Sequence, residues 1–190
     1  MLERFDPVVD VAPPIARLAS DRRILDLICT VLEDDSPLQF KDKLILKPPG
    51  MSGYAVHQDQ AWWQLCPGTA VATAFIALDE ASTTSGCLAL YPGSHQALIA
   101  GGEFRNLHSD EVKELGPPDM LAMEPGDIVA FDAMVPHGSG TNESAGPRTA
   151  IALSFSASRW GSLYEAQRSQ YLAMKRSEVT SEEWARMYFR

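Results

Sequence analysis

The sequence contains little cysteine and no long apolar segment. Its three cysteines, Cys29, Cys66 and Cys87, lie far apart and form no Cys-x-x-Cys pair. This spacing argues against a disulfide framework and against a structural zinc site. No uninterrupted apolar run reaches the length of about 18 residues that a membrane-spanning helix needs, and the N-terminus lacks the charged and apolar pattern of a secretory signal. We therefore expect a cytoplasmic protein with no membrane partner.

Positive charge is also scarce. The chain carries 16 Lys and Arg against 25 Asp and Glu, which gives a net charge of -9, and it has no basic run. Proteins that bind nucleic acid usually present a basic patch or stripe, so we expect no nucleic-acid partner. The motifs G-x-S-x-G, H-E-x-x-H and G-x-x-x-x-G-K-[ST] are absent as well, which disfavours a hydrolase or a phosphate-loop enzyme.

The pattern of apolar residues and turn signals predicts a mainly β protein. The 190 residues suffice for a single domain over residues 1–190, with a barrel core at about 40–160. Residues 1–14 are expected to be irregular, and the apolar spacing over 15–33 predicts a helix with an interruption at Ser20-Asp21. Residues 163–190 look helical, and Thr180 or Ser181 would cap a last helix that contains Trp184 and Tyr188. The predicted strands are short and bounded by turns, at 40–47, 54–62, 70–78, 87–91, 128–131 and 149–155. Short strands at such intervals, with helices at both ends, are typical of a double-sheet barrel with flanking α-helices.

The segment His57-Gln58-Asp59 carries the first sign of chemistry. If the segment is an extended strand, His57 and Asp59 project from the same face and Gln58 from the other. An imidazole and a carboxylate on one face supply two ligands of the 2-His-1-carboxylate triad that holds non-haem Fe(II). By itself the His-x-Asp pattern is common and is usually only a solvated pair.

A third ligand has to come from one of the remaining histidines, which are His95, His108 and His137. His108 lies in a polar segment and is expected to be solvated. His95 ends a strand-end turn and is expected to make a rim hydrogen bond. His137 follows an apolar strand and precedes Gly138-Ser139-Gly140, which predicts a position at the barrel mouth. We therefore expect His137 to complete the metal site.

Arg148 comes at the start of the strand that follows His137. We expect this strand to lie beside the one that carries His137. A guanidinium near the metal could bind a carboxylate through two parallel hydrogen bonds, and the Ser139 hydroxyl could add a further one. The alternative for Arg148 alone is a surface ion pair.

An ordered set of motifs resembles the phytanoyl-CoA dioxygenase family over residues 18–160. The motifs are Lys47-Pro48-Pro49-Gly50, His57-Gln58-Asp59, Ser85-Gly86-Cys87-Leu88, Pro92-Gly93-Ser94-His95, Gly126-Asp127, His137-Gly138-Ser139-Gly140, Asn142 and Arg148. The resemblance implies a double-stranded β-helix, that is a jelly-roll or cupin-like barrel. It also implies an oxygenase that depends on Fe(II), 2-oxoglutarate and O2.

The resemblance implies roles for individual residues. His57, Asp59 and His137 would be the iron ligands and thus the catalytic centre. Arg148 and Ser139 would bind the 2-oxoglutarate C5 carboxylate, and Phe75 would line the co-substrate pocket. Further contacts to the co-substrate or the pocket would come from Lys43, Lys47 and Gln58, and strand alternation would place the two lysines on one face.

The nature of the reaction follows from the same resemblance. Related halogenases replace the carboxylate ligand with a small residue, so Asp59 favours hydroxylation, with release of succinate and CO2. Desaturation, epoxidation or ring formation with the same cofactors remains an alternative. A metal-containing jelly roll that binds a ligand without turnover is the alternative of another class.

The substrate is expected to be a small organic molecule. Tyr54, Trp62 and Trp63 flank the metal pair and are expected either to line an apolar pocket or to be plain core residues. A pocket of this kind fits an acyl, terpenoid or polyketide-like skeleton, whereas the net negative charge disfavours a CoA thioester.

Two further expectations concern the outer parts of the molecule. Residues 96–118 form the longest predicted loop and contain Gly101-Gly102, which suggests a lid that orders over bound substrate. Family members usually have several dozen more residues before the first helix. This chain is then either a short form or replaces the missing sheet edge by forming a homodimer.

Overall fold

The computed structural model describes residues 4–178, which form short strands and four α-helices. The strands are β1 (Arg4–Phe5), β2 (Leu38–Ile45), β3 (Val71–Ala77), β4 (Leu88–Leu90), β5 (Asp119–Leu121), β6 (Ile128–Asp132), β7 (His137–Ser139) and β8 (Ala150–Ser156). The helices are α1 (Pro13–Ala19), α2 (Arg22–Leu32), α3 (Ser109–Glu114) and α4 (Tyr164–Glu178). Short 3-10 helices occur at Asp59–Ala61, Gly68–Ala70 and Ser158–Trp160.

The strands form two antiparallel sheets that enclose a cavity. The larger sheet has five strands in the order β1-β2-β8-β3-β6, and the smaller has three in the order β5-β4-β7. Strand β8 lies at the centre of the larger sheet, where Lys43 of β2 pairs with Ala152 and Phe75 of β3 pairs with the same residue. The predicted two-sheet architecture is confirmed.

Alternation along the central strands separates the core into two layers. Ile151, Leu153 and Phe155 of β8 point outwards and pack with Ile24 and Ile28 of α2. The intervening residues of β8, among them Ala150 and Ala152, point inwards towards Phe75, Leu88 and Phe131. The small inward side chains of β8 leave the space that becomes the cavity.

The N-terminal helix is interrupted where the sequence predicts. Helix α1 ends at Ala19, and α2 begins after Asp21, whose side chain accepts a hydrogen bond from the Arg23 amide at 3.0 Å. This N-cap satisfies one of the free amides of the first turn of α2. Residues 1–14 were predicted to be irregular, but within the described part they contain β1 and the start of α1.

Two other expectations about local structure were wrong. Residues 54–62 are not a strand, since His57 makes only an isolated bridge and a 3-10 helix begins at Asp59. The predicted loop at 96–118 contains α3, and β5 directly after it was not predicted. The three-residue strand β5 carries too few alternating residues to show a period, and unlike β4 it is not marked by a run of apolar residues.

Helix α4 confirms the predicted C-terminal helix as far as Glu178. The predicted cap at Thr180 or Ser181 and the helix with Trp184 and Tyr188 lie outside the described residues. Within residues 4–178 no helix combines the length and the apolar character that crossing a membrane requires.

Candidate metal centre

His57 and His137 are direct neighbours across an antiparallel bridge. The amide of each donates to the carbonyl of the other at 2.9 Å, and the two ring centroids lie 4.3 Å apart. His137 belongs to β7, whereas His57 belongs to the segment that pairs with it. The bridge therefore holds the two imidazoles side by side on the cavity wall.

Asp59 lies beside the two histidines, but the local structure that places it there differs from the predicted strand. The chain turns after Gln58, and the Asp59 carbonyl accepts hydrogen bonds from the amides of Trp62 and Trp63. The Asp59 carboxylate then lies 3.8 Å from His57 Nε2 and 3.9 Å from His137 Nε2. A turn, and not strand alternation, brings the predicted His57 and Asp59 pair together.

Both imidazoles are oriented by a backbone carbonyl. Nδ1 of His57 lies 2.8 Å from the Ala55 carbonyl, and Nδ1 of His137 lies 3.0 Å from the Val135 carbonyl. A carbonyl only accepts, so each Nδ1 carries the proton and each Nε2 presents a lone pair. Together with Asp59 these nitrogens form a cluster whose ligand atoms all lie within 4.8 Å of one another.

Burial tunes the charge of this cluster. It lowers the pKa of His57 to about 4, with a further contribution from His137, and it also lowers the pKa of His137. Burial alone would raise the pKa of the Asp59 carboxyl, but the positive charge of Lys43, and that of the two imidazoles when acid protonates them, holds it below its usual range. The resting cluster is therefore two neutral imidazoles and one carboxylate, which is the protonation state that a divalent metal requires.

An inner cavity of about 100 Å³ extends from this cluster into the barrel. Its walls include Phe75, Ser139 and Arg148, as predicted, and also Thr73 and Phe131, which were not predicted. Thr73 lies two residues before Phe75 on β3, so strand alternation could have identified it.

Arg148 is a buried cation without an acidic partner among residues 4–178. Its side chain is 2% exposed, Nη2 donates to the Gly86 carbonyl at 2.9 Å, and Nε has no hydrogen-bond partner there. Burial lowers the pKa of this guanidinium, although it stays charged. The alternative of a surface ion pair is thus wrong, and the group is available for an anion in the cavity.

Lys47 lies behind the cavity wall formed by Ser139 and Arg148 and stabilises it. Its ammonium donates to Ser139 Oγ at 2.9 Å, to the Gly86 carbonyl at 3.1 Å and to the Gly140 carbonyl. Lys47 is completely buried and does not line the inner cavity. Its contacts hold the Ser139 hydroxyl, and we expect no direct contact to a co-substrate.

The strands that carry His137 and Arg148 are not neighbours. Strand β7 belongs to the three-stranded sheet, whereas Arg148 immediately precedes β8 in the five-stranded sheet. The expectation of adjacent strands was wrong because the chain crosses from one sheet to the other between residues 140 and 148. The two residues consequently face each other across the cavity.

A wider vestibule of about 460 Å³ lies outside the cluster. It shares five residues with the inner cavity, namely Arg4, Lys43, Tyr54, His57 and Asp59. Trp62 and Trp63 form one wall, and the rings of Trp62 and His57 are nearly perpendicular at a centroid distance of 5.5 Å. The sequence did not point to the remaining walls, since Arg4, Asn106, Tyr171 and Met174 come from segments with no local pattern that links them to the site.

Gln58 does not belong to either cavity. Its side chain is fully buried and bonds to the carbonyls of Ala97 and Met134 and to the amide of Ile99, at 2.6–2.8 Å. The prediction that Gln58 contacts substrate or co-substrate was wrong, because its amide is occupied by bonds to Ala97, Ile99 and Met134. The two other histidines lie outside the cluster: His108 is exposed at the N-cap of α3, and His95 approaches Gln96 Nε2 at 3.3 Å.

The family model of phytanoyl-CoA dioxygenase (PhyH) matches residues 8–150 of this chain. The chain belongs to the PhyH family. The match includes the two histidines, Asp59 and Arg148, and it stops at the first residue of β8.

Named proteins are similar to this chain over part of their length. A methylphosphonate hydroxylase from Gimesia maris is 30% identical over 162 residues, which cover 85% of this chain and 60% of that protein. The human peroxisomal phytanoyl-CoA dioxygenase is 32% identical over 125 residues, which cover 59% of this chain and 37% of that protein. The chain thus spans 60% or less of the length of these relatives.

A solved structure shares the fold. The crystal structure of EctD from S. alaskensis with 2-oxoglutarate and 5-hydroxyectoine has a TM-score of 0.73 and 24% identity, covering 82% of this chain and 56% of that one. This likeness confirms the predicted double-stranded β-helix. At this identity it supports the fold and not the activity.

Proposed function

We propose that the chain is an Fe(II)- and 2-oxoglutarate-dependent oxygenase that hydroxylates an aliphatic carbon of a small organic molecule. The observation that carries this proposal is the position of two complementary sites in one cavity. The His57, Asp59 and His137 cluster forms one wall, and the uncompensated Arg148 guanidinium forms another. The relatives named as a hydroxylase and as a dioxygenase support the same reaction class.

The residues present fit the proposed cofactor. Two imidazole nitrogens and one carboxylate oxygen are the ligand set that suits non-haem Fe(II), and the three groups already have the required protonation. Arg148 and the Ser139 hydroxyl would bind the distal carboxylate of 2-oxoglutarate. Fe(II) and 2-oxoglutarate bound together would supply O2 activation and the oxidation of a C–H bond, with release of succinate and CO2.

The other residues of the site orient groups and exclude water. The carbonyls of Ala55 and Val135 keep each Nε2 directed at the metal position. Phe131 packs on the His137 ring at a centroid distance of 4.9 Å, and Phe75 lies 6.0 Å from the guanidinium carbon of Arg148. These apolar surfaces strengthen the electrostatic contacts of the cavity by keeping bulk water out.

Three features of the whole protein belong to this proposal. We propose that residues 1–190 form one catalytic domain, that it acts in the cytoplasm, and that a homodimer could cover the edge next to β1. A gel-filtration measurement of the molecular mass would test the last point.

An anaerobic titration tests the proposed cofactors. Fe(II) and then 2-oxoglutarate are added to the chain, and the weak visible charge-transfer band of chelated 2-oxoglutarate is recorded. We expect the band in the wild type and its loss in His57→Ala. In Arg148→Ala it should require about 100-fold more 2-oxoglutarate, because a charged bidentate contact contributes about 3 kcal/mol. Iron binding without a band would contradict the oxygenase and favour a ligand-binding jelly roll.

A further inference from the structure

Lys43 differs from the other cations at the vestibule. Lys41 pairs with Asp6 at 2.9 Å, and Arg4 donates to the Tyr171 hydroxyl. The Lys43 ammonium makes no hydrogen bond or ion pair within residues 4–178, and it lies 5.9 Å from the centroid of the Trp63 ring. Lys43 and Arg4 both line the inner cavity and the vestibule, and the positive charge of Lys43 acts on the Asp59 carboxylate.

Lys43 and Arg148 serve opposite ends of the site. Lys43 pairs with Ala152 on β8, and Arg148 lies four residues earlier, level with Lys47. At the rise of an antiparallel strand, the two backbone positions are about 14 Å apart. Arg148 is therefore the cation of the deep end, where Ser139 and Lys47 surround it, and Lys43 is the cation of the open end.

The charge of the occupied site is not balanced without a further anion. On the proposed function, bound Fe(II), the Asp59 carboxylate and a 2-oxoglutarate dianion together carry one negative charge, which Arg148 offsets, and the Lys47 ammonium adds a further positive charge at the same end. The ammonium of Lys43 then faces the metal centre uncompensated, and its positive charge already acts on Asp59. An unpaired charge in a partly enclosed site is costly, whereas a substrate anion beside it would be stabilised.

We propose that Lys43 binds an anionic group of the substrate at the boundary between the vestibule and the inner cavity. This inference rests on the proposed function and narrows it to substrates that carry a carboxylate, sulfonate, phosphonate or phosphate. It also reassigns Lys43 from the co-substrate, as the sequence suggested, to the substrate. The aromatic walls formed by Trp62 and Trp63 would contact the carbon skeleton next to that anion.

Calorimetric titration with a matched pair of probes tests this subsite. The anaerobic protein, loaded with Fe(II) and 2-oxoglutarate, is titrated with methanesulfonate and with dimethyl sulfone, a neutral molecule of similar shape. The variants are Lys43→Met, Lys43→Arg and, as a control for charge removal, Lys113→Met at an exposed position of α3. Each variant is also titrated with 2-oxoglutarate.

We expect methanesulfonate to bind the wild type about tenfold or more tightly than dimethyl sulfone, since one charge-assisted contact distinguishes them. Lys43→Met should lose that difference while keeping the wild-type affinity for 2-oxoglutarate, which also shows that it is folded. Lys43→Arg should retain a preference for the anion, and Lys113→Met should match the wild type.

Three results would overturn the subsite. They are no preference of the wild type for the anion, full retention of that preference in Lys43→Met, and a loss of 2-oxoglutarate affinity in Lys43→Met with methanesulfonate binding unchanged. A different result separates the two proposals. If the protein binds methanesulfonate only when Lys43 is present but does not bind 2-oxoglutarate, the anion subsite is supported and the oxygenase function is contradicted.

Discussion

The two histidines of the cluster enter the cavity with one nitrogen already committed to a carbonyl. Ala55 and Val135 accept from Nδ1, and the surrounding walls keep His57 and His137 largely from water. A proton on Nε2 would make the imidazole positively charged in a low-dielectric position where water cannot solvate it, so the charged form is disfavoured. Metal binding and acid stability are consequently coupled through the same two side chains.

This coupling predicts how the metal-free protein responds to acid. The folded pKa of His57, about 4, lies below the ordinary histidine value of about 6.5, so the unfolded chain binds more protons between these values. Stability should therefore fall as the pH decreases from 7 to 5, with about 2 kcal/mol due to His57. Urea unfolding in the presence of EDTA at both pH values measures this difference. His57→Gln should reduce the loss, and His95→Gln, at a partly exposed position, should not; equal losses in all three proteins would contradict the assignment.

Gly86 is the residue that allows two cations to approach one carbonyl. Its backbone has φ +69°, and both Lys47 and Arg148 donate to its oxygen. A Cβ atom here would collide with the Gly140 carbonyl and would lie 2.8 Å from Lys47 Nζ. The close approach of Lys47 and Arg148 at the deep end of the cavity therefore requires a residue without a side chain at position 86.

A pair of glycine variants separates backbone strain from this collision. Gly86→Ala should lower the free energy of unfolding by about 3 kcal/mol and weaken 2-oxoglutarate binding, because it adds overlap to the cost of about 1–2 kcal/mol of a left-handed alanine. Gly126→Ala has φ +98° and open space around the added methyl group, so it should show the strain alone and keep the affinity. Urea unfolding and 2-oxoglutarate titration measure both effects. Equal results for the two variants would show that the close approach at Gly86 is unimportant.

Residue types in a fixed order made most of the site predictable. The positions of Ser139 and Arg148 after His137 indicated the anion-binding end, and the family resemblance implied the role of Phe75. Gln58 was misassigned because a glutamine between two ligands has the same local sequence whether it faces a cavity or the core. Its partners at Ala97, Ile99 and Met134 are remote in the chain, so only the fold reveals its role.

Among the elements, the segment 96–118 is more structured than a loop of its composition suggests. Gln58 holds its start, the Leu107 amide bonds to the Val56 carbonyl at 2.8 Å, and Arg105 pairs with Glu111 at 2.7 Å. Asn106 of this segment borders the vestibule. Closure of this segment over substrate stays a prediction. Such a movement would have to keep the bonds of Gln58, Leu107 and Arg105 intact or exchange them for others.

Removing the Gln58 anchor should loosen this element. Gln58→Ala removes the partner of two carbonyls and one amide that are partly buried, which should cost about 2–4 kcal/mol and expose Arg105 and Lys113 to trypsin. Gln64→Ala is the matched control, because the exposed Gln64 also donates to the segment, at the Gly102 carbonyl. We expect faster tryptic cleavage within residues 96–118 for the first variant and near wild-type rates for the second. An unchanged rate in Gln58→Ala would contradict its role as the anchor.

Elements were predictable in proportion to their length. The seven-residue strands β3 and β8 and the eleven-residue helix α2 have enough residues to show their period. The three-residue strands β5 and β7 do not, and their pairing with β4 is decided by distant contacts. The placement of Arg148 opposite His137, and not beside it, follows from this pairing and could not be deduced from local pattern.

At the scale of the whole molecule, overall charge and local charge have opposite signs. The chain carries a net charge of -9, yet the vestibule is bordered by three cations, Arg4, Lys41 and Lys43, against the two carboxylates of Asp6 and Asp59. Composition alone argued against a CoA thioester as the substrate. The net charge does not show where the charged side chains lie in the folded protein. A basic mouth on an acidic surface would focus the field at the entrance and attract small anions there.

The bridge between His57 and His137 has a consequence for the mechanics of the barrel. The two residues are 80 positions apart in the chain, and their mutual backbone bonds join the first half of the barrel to the second. An ion held by both imidazoles would act as a removable cross-link, comparable to a disulfide that closes a loop of this length, for which chain entropy gives about 4 kcal/mol. The same bound ion would then serve both the chemistry of the centre and the stability of the barrel. Without the ion, we expect local unfolding to begin at the bridge between His57 and His137.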